Sequence, residues 1–221
     1  MASHGRLDYH PARPREGAAI YSIRQGMPED ADVIADGIVE AGDGIFEHLL
    51  DGLLPGIGAG DLIRMAVVDP DSCFNYRNAL MAERDGGLCG LLLGYPAEAY
   101  GLPATARAFI PPKRLKPVQP LLDSRIPGSW YVNTVLIAPE HRGRGVGRRL
   151  LQAATGIARG GGAECLSLHV WADNEPIVAV CARAGFEQTA VIEVPKTGRL
   201  RHGGQMLLMR APMPPAVPFP L

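Results

Sequence analysis

The sequence predicts one mixed α/β (α+β) domain in which helices flank a central sheet. Three observations carry this. The strand-like run IYSIR leads into the helical spacing of PEDADVIADGIVEAG; two further strand-like runs, NALMAE and LCGLLLGY, flank the turn sequence RDGG; and a strand, a glycine-rich turn and a helix follow one another from Trp130 to Arg159. Strand periods alternating with helix periods in one chain are the pattern of a sheet covered by helices.

Residues 1–17 are polar and rich in Pro and Arg, and 211–221 carry too many prolines for a helix or a central strand, so both are expected to be tails around a domain at 18–210. In the first helix Val33, Ile34, Ile38 and Ala41 recur behind Pro28. Residues 43–68 read as a second helical region, broken at LLPGIGAG by its Pro and glycines. RDGG makes the two runs around it a hairpin. Residues 96–129, with several prolines and weak periodicity, read as an insertion without regular structure. Three roles are open to it: a mobile wall or lid over a binding site, a disordered surface excursion, or the contact of a homodimer.

WYVNTVLI is a near-continuous apolar, β-branched run, as expected of a strand covered on both faces at the centre of the sheet. After the turn APEHRGRGVG, the helix RRLLQAATGIAR places Leu150, Leu151, Ala154, Ile157 and Ala158 on one face and ends in GGG. CLSLHV puts Leu166, Leu168 and Val170 on one face and Ser167 and His169 on the other. In NEPIVAVCARAGF, Asn174 is the expected N-cap, Pro176 lies in the first turn, and Gly185 ends the helix with Phe186 placed to pack back. EQTAVIEV and GGQMLLMR complete the sheet.

Composition bounds the function. A chain of 221 residues with 47% hydrophobic and 20% charged side chains can bury a core. Its net charge of -1 argues against nucleic acid as a partner. Cys73, Cys89, Cys165 and Cys181 are scattered without a CxxC pair, so no metal site or disulfide framework is expected, and a reducing, cytoplasmic location fits. No run approaches the ~20 apolar residues of a membrane span, and MASHGRLDYHPARPREG lacks the apolar core of a signal peptide. The one local excess of charge is His141, Arg142, Arg144, Arg148 and Arg149, which suits a few phosphates.

That excess sits on the most informative segment. Gly143, Gly145 and Gly147 let the backbone curl with its N–H groups inward, at the positive end of the helix that follows. Arg142, Arg144 and Arg148 add forked donors that suit a pyrophosphate. A Walker A loop needs Gly-Lys-Ser/Thr, which this turn lacks. A Rossmann fingerprint needs glycine at its sixth position, which counted from Gly143 is Arg148. A tight surface turn with solvated arginines is the plain alternative.

The segment IAPEHRGRGVG, from Ile137 to Gly147, resembles the signature of the GNAT superfamily of N-acetyltransferases, Arg/Gln-x-x-Gly-x-Gly/Ala after a strand. A second family element is similar too: Asn174 is followed eleven and twelve residues later by Gly185 and Phe186. The resemblance is strong over about 130–186 and weak over 43–76 and 96–129. It implies a mixed sheet of about seven strands, splayed between the strands at 130–137 and 164–170, with acetyl-CoA as cosubstrate. Its pantetheine would pair with the backbone of Val135, Leu136 and Ile137, and its pyrophosphate would lie on Arg142, Gly143, Arg144, Gly145, Val146 and Gly147 beside Arg148. Asn174 would face the pantetheine arm. The implied reaction moves an acetyl group directly to a primary amine of a small molecule or peptide in a ternary complex, with no metal, nucleic acid or membrane involved.

The chain also departs from the family pattern. Seven residues after Asn174, where many members carry a tyrosine that protonates the leaving thiolate, stands Cys181, a thiol that could donate or simply pack. Four residues before Ile137, where a carboxylate often acts as base, stands Asn133, whose amide takes no proton and could only position water or substrate. His169 and Glu83 are further base candidates or else exposed or structurally hydrogen-bonded side chains, His141 reads as structural, and His48 and Glu47 fall where the acceptor is contacted. Without the tyrosine and the carboxylate, a regulatory module that binds acyl-CoA with little or no turnover stays open. So does a phosphate-binding protein of another class.

Overall fold

The computed structural model describes residues 21–197 and 200–213. Strands β1 (Ser22–Gln25), β2 (Ala79–Arg84), β3 (Gly87–Pro96), β4 (Ser129–Ile137), β5 (Cys165–Trp171), β6 (Glu187–Val194) and β7 (Gly204–Pro212) form one sheet in the order β1-β2-β3-β4-β5-β7-β6. Only β4 and β5 run parallel to each other, and all other neighbours are antiparallel. The helices are α1 (Ala31–Gly42), α2 (Ile45–Leu50), α3 (Ala59–Val68), α4 (Ala104–Phe109), α5 (Pro112–Leu122), α6 (Val146–Gly160) and α7 (Glu175–Arg183).

The helices cover both faces. On one, α6 and α7 close a core containing Leu80, Leu92, Val132, Leu150, Leu166, Val170 and Leu207. On the other, α1 and α3 bury Ile34, Ile38 and Val67 against Met81, Leu91 and Leu93, while α2 and α5 bury Leu49, Val118 and Leu121 against Ile192 and Leu208. The predicted hairpin is present, with Asp85 at φ 52° and Gly86 at φ 78°, the left-handed pair that an Asp-Gly turn supplies. The break expected in 43–68 falls between α2 and α3.

Three expectations are corrected. The segment 96–129 does carry regular structure: α4 and α5 lie within it, and α5 holds Pro117 and Pro120 in its interior. Each proline removes one helical hydrogen bond, and the burial of Val118, Leu121 and Leu122 outweighs that loss. Ala211 and Pro212 end β7 instead of starting a tail; β6 begins opposite Arg210, so the proline lies where no strand on that side needs its missing N–H. On α6 the buried row is Val146, Leu150, Ala154 and Ala158, whereas Ile157 is 48% exposed. The N-terminal tail at 1–17 and residues 214–221 lie outside the described residues.

The α6 row gives a paired test of packing. Leu150→Ala, at a position with 0% exposure, is expected to lower unfolding free energy in denaturant by roughly 3 kcal/mol. Ile157→Ala on the exposed side is expected to cost less than about 1 kcal/mol.

Candidate active site

The central parallel pair opens. β4 and β5 are joined only at Ser129↔Cys165, Trp130↔Leu166 and Tyr131↔Ser167, although β4 stays paired with β3 out to Ile137 and β5 with β7 out to Trp171. Beyond Tyr131 and Ser167 the two strands part. The cause lies in β4, where Val132 faces Gly94 and Thr134 faces Leu93, so that Asn133 is the extra residue of a β-bulge and bends the strand. The Ala138 N–H donates to the Cys89 carbonyl at 2.9 Å. By the alternation of an antiparallel ladder, the backbone groups of Leu136 and Thr134 then also face β3, and those of Val135 and Ile137 face the split. The Val135 side chain is 39% exposed although β4 is the central strand.

The glycine turn lies at the end of this open edge. Gly143 (φ 71°) and Gly145 (φ 84°) adopt the left-handed conformation, with open space where a Cβ would stand, so the backbone angle and not crowding calls for glycine there. Among the described residues, the N–H groups from Gly143 to Arg148 have no acceptor. Those of Val146 to Arg148 open the first turn of a 15-residue helix, and those of Gly143 to Gly145 lie in the turn just before it. The Nε of Arg142 donates to the Ile137 carbonyl at 3.0 Å, which folds this side chain over the end of β4, while Arg144 and Arg148 are exposed. His141 contacts the Tyr21 hydroxyl through Nδ1 at 3.2 Å with the rings edge-on, so it anchors the turn. Asn174 precedes α7, but its side chain makes no capping bond, contrary to the sequence reading; its carbonyl accepts from the Ile177 and Val178 N–H groups. Gly185 (φ 89°) and Phe186 end α7 as expected.

The remaining candidates are placed unequally. The Asn133 amide donates to the Tyr95 hydroxyl at 3.2 Å, and its oxygen accepts from Thr134 at 2.8 Å. Cys181 is buried in the core under α7, and burial pushes its thiol pKa up. Glu83 is far from the split, held by the Arg24 guanidinium at 2.7 Å. His48 contacts the Arg114 carbonyl at 2.9 Å and Thr197 at 3.3 Å. Glu47 lies beside it, 3.8 Å from Arg201, and among the described residues its buried Oε2 has no hydrogen-bond partner. Nearby, His202 bridges Asp43 (2.6 Å) and Asp173 (2.8 Å), and these carboxylates raise its pKa.

His169 sits at the apex of the split in a network that sequence reading missed. Its Nδ1 lies 3.0 Å from the Tyr131 hydroxyl and its Nε2 2.8 Å from Ser124 Oγ. Ser124 donates its proton to the Leu121 carbonyl at 2.9 Å, so its oxygen accepts from Nε2–H, and Nδ1 in turn accepts from Tyr131. Burial pushes the His169 pKa down to about 4, so the ring is neutral near pH 7. Tyr100 stacks on it at 5.3 Å and lies 4.5 Å from the Tyr131 ring. Tyr131 lies 38 residues and Ser124 45 residues from His169, with Tyr100 further still, and no local signal links them to it. Among the described residues, no group of three or more His, Cys, Asp or Glu side chains is placed to hold a metal ion, and no helix is long and apolar enough to cross a membrane.

The sequence and the fold are similar to those of known proteins. The chain is 35% identical over 65 residues to the N-alpha-acetyltransferase RimI of Mycobacterium tuberculosis, covering 29% of this chain and 39% of that protein. It is 34% identical over 83 residues to the streptothricin acetyltransferase of Streptomyces lavendulae, covering 38% of this chain and 44% of that one. The matched stretch thus spans less than half the length of either relative. Among solved structures, an N-acetyltransferase from Staphylococcus aureus Mu50 superposes with a TM-score of 0.59 at 22% identity, covering 85% of this chain and 99% of that one. The yncA protein of Salmonella typhimurium, solved with its cofactor acetyl-CoA, superposes with a TM-score of 0.53 at 15% identity, covering 89% and 95%. At these identities the likeness is one of fold. The model of the Acetyltransferase (GNAT) family matches residues 63–186, more than half of the sequence, and the chain belongs to that family.

Proposed function

We propose that this family member moves an acetyl group from acetyl-CoA to a primary amine of a small molecule or peptide, directly and within a ternary complex. One observation carries the reading: the unpaired backbone edge of β4 ends at the N–H groups of Gly143 to Arg148, which have no acceptor among the described residues. A strand-like arm ending in a pyrophosphate fits both. Those N–H groups, with Arg142, Arg144 and Arg148, bind the phosphates. Val135 and Ile137 pair with the pantetheine amides while Leu136 holds β4 against β3, and Asn174 faces the arm from the opposite side of the split.

Acetyl-CoA supplies a thioester whose acyl carbon an amine can attack and whose sulfur leaves as a thiolate. The chain's own groups orient this exchange. A β4 N–H turned into the split meets the negative charge that develops on the acyl oxygen. The neutral Asn133 amide holds the amine or a water that carries its proton away. His169, neutral and already accepting from Tyr131, fixes the floor of the site. Cys181 packs under α7, and its raised pKa keeps the thiol protonated at neutral pH. The segment 96–129 is a wall on the acceptor side, anchored where the Arg114 guanidinium donates to the carbonyls of Leu49 (3.1 Å) and Asp51 (2.7 Å).

A second reading, a regulatory module that binds acyl-CoA without turnover, is favoured by the absence of a carboxylate at position 133 and by the burial of Cys181. Thioester consumption measured across a panel of primary amines separates the two. Gly145→Asp is expected to abolish acetyl-CoA binding in calorimetry while far-UV circular dichroism stays unchanged, since it puts a carboxylate where phosphate approaches and strains a positive φ. Equal affinity in the folded variant would remove the assigned phosphate site.

His169 sets a pH dependence of stability. Its folded pKa, about 4, lies below the unfolded value near 6.5, so its contribution is complete above about pH 6.5 and is lost as pH falls toward 4. Between pH 7 and 4.5 the parent is expected to lose roughly 2 kcal/mol more unfolding free energy than His169→Gln, measured in denaturant at each pH.

A further inference from the structure

We propose that Tyr131, braced by Tyr95, Tyr100 and His169, is the stop that limits the acyl group to acetyl. The inference rests on the reading that acyl-CoA lies in the split, and it names the acyl class that this split accepts. An arm running back from the glycine turn along β4 passes Ile137, then Val135, then the bulge at Asn133. Next is Tyr131, the last residue of β4 still paired with β5. Carbon atoms beyond the thioester carbonyl therefore advance on the Tyr131 ring.

That ring has little freedom. Tyr131 is 5% exposed and Tyr95 2%, with their ring centroids 5.7 Å apart, and Tyr100 closes the other side at 4.5 Å. Swinging Tyr131 aside would break its bond to His169, whose tautomer is fixed by Ser124 and the Leu121 carbonyl, and would leave a buried donor without a partner. The opposite face offers no escape. There Val132, 3% exposed, packs in the core with Leu150 and Leu166. A close-packed wall of this kind does not yield to one added methylene without strain, and a pocket discriminates by roughly tenfold to two-hundredfold per methylene.

The test is calorimetric, with CoA, acetyl-CoA, propionyl-CoA and butyryl-CoA as titrants, so that no acceptor is needed. The parent is expected to bind butyryl-CoA at least roughly tenfold more weakly than acetyl-CoA. Tyr131→Val removes the ring and puts a β-branched residue, which suits a strand, in its place; it should bring the two thioesters near parity and leave the affinity for CoA, which has no acyl group, unchanged. Tyr131→Phe, which keeps the ring, should retain most of the parent's preference. If Tyr131→Val does not fold, Tyr100→Ala loosens the same wall from its half-exposed side and should narrow the butyryl-to-acetyl ratio in the same direction. A parent that binds butyryl-CoA as well as acetyl-CoA, or a folded ring-deletion variant with the parent's ratio, overturns the stop and leaves the cofactor site standing. A parent that binds none of the four titrants overturns both.

Discussion

The separation of β4 from β5 after three residue pairs is the constraint on which the rest of the site depends. Two parallel strands at the centre of a sheet ordinarily stay paired, because an unpaired backbone group inside a protein is costly. Here the extra residue at Asn133 bends β4 while β3 and β7 hold the outer sides of the two strands in register. The result is an open edge flanked by closed ladders. A molecule with amides spaced like a peptide can complete that edge, and the N–H groups at the start of α6 extend the same donor surface to an anion.

The split also needs an end, and the polar seam at its apex provides one. At the last backbone pair, the Tyr131 side chain reaches His169 and continues the link between β4 and β5. Ser124, from the segment joining α5 to β4, fixes the polarity of that link. Each buried polar group in the chain from Tyr131 to the Leu121 carbonyl has a partner, and a satisfied network in a low-dielectric setting is rigid. The cost is a histidine that burial holds in its neutral form, with its pKa pushed down to about 4. The prolines in 96–129 hide a segment whose helix packs on β6 and whose following turn helps to close the apex.

The departures from the family pattern become intelligible together. Where a carboxylate often stands there is a bulge amide bonded to Tyr95, and where a tyrosine often stands there is a thiol closed into the core. Neither is a strong proton donor or acceptor in place. The nearest titratable side chains at the apex, Tyr95, Tyr131 and His169, are all shifted by burial toward their uncharged forms. The apex is therefore uncharged, while charge gathers away from it: arginines on the glycine turn, and Asp43, Glu47, Asp173 and His202 near the end of β5.

The sequence by itself determined the parts whose physics is local. Strand and helix periods, the Asp-Gly turn, the glycines at 143 and 145 and the close of α7 at Gly185 depend on residues within a few positions of one another, and each could be read from spacing and backbone preference. The tertiary structure decided what depends on partners distant in the chain. Asn133 is a bulge only because of what β3 sets opposite it. His169, which its strand alternation left as a base candidate or a structurally hydrogen-bonded side chain, is a buried brace because Tyr131 and Ser124 meet it from 38 and 45 residues away. Pro117 and Pro120 sit in a helix because burial against β6 outweighs local propensity. In each case a long-range contact overrode a local preference, and the identity of that contact is not encoded in the neighbouring sequence.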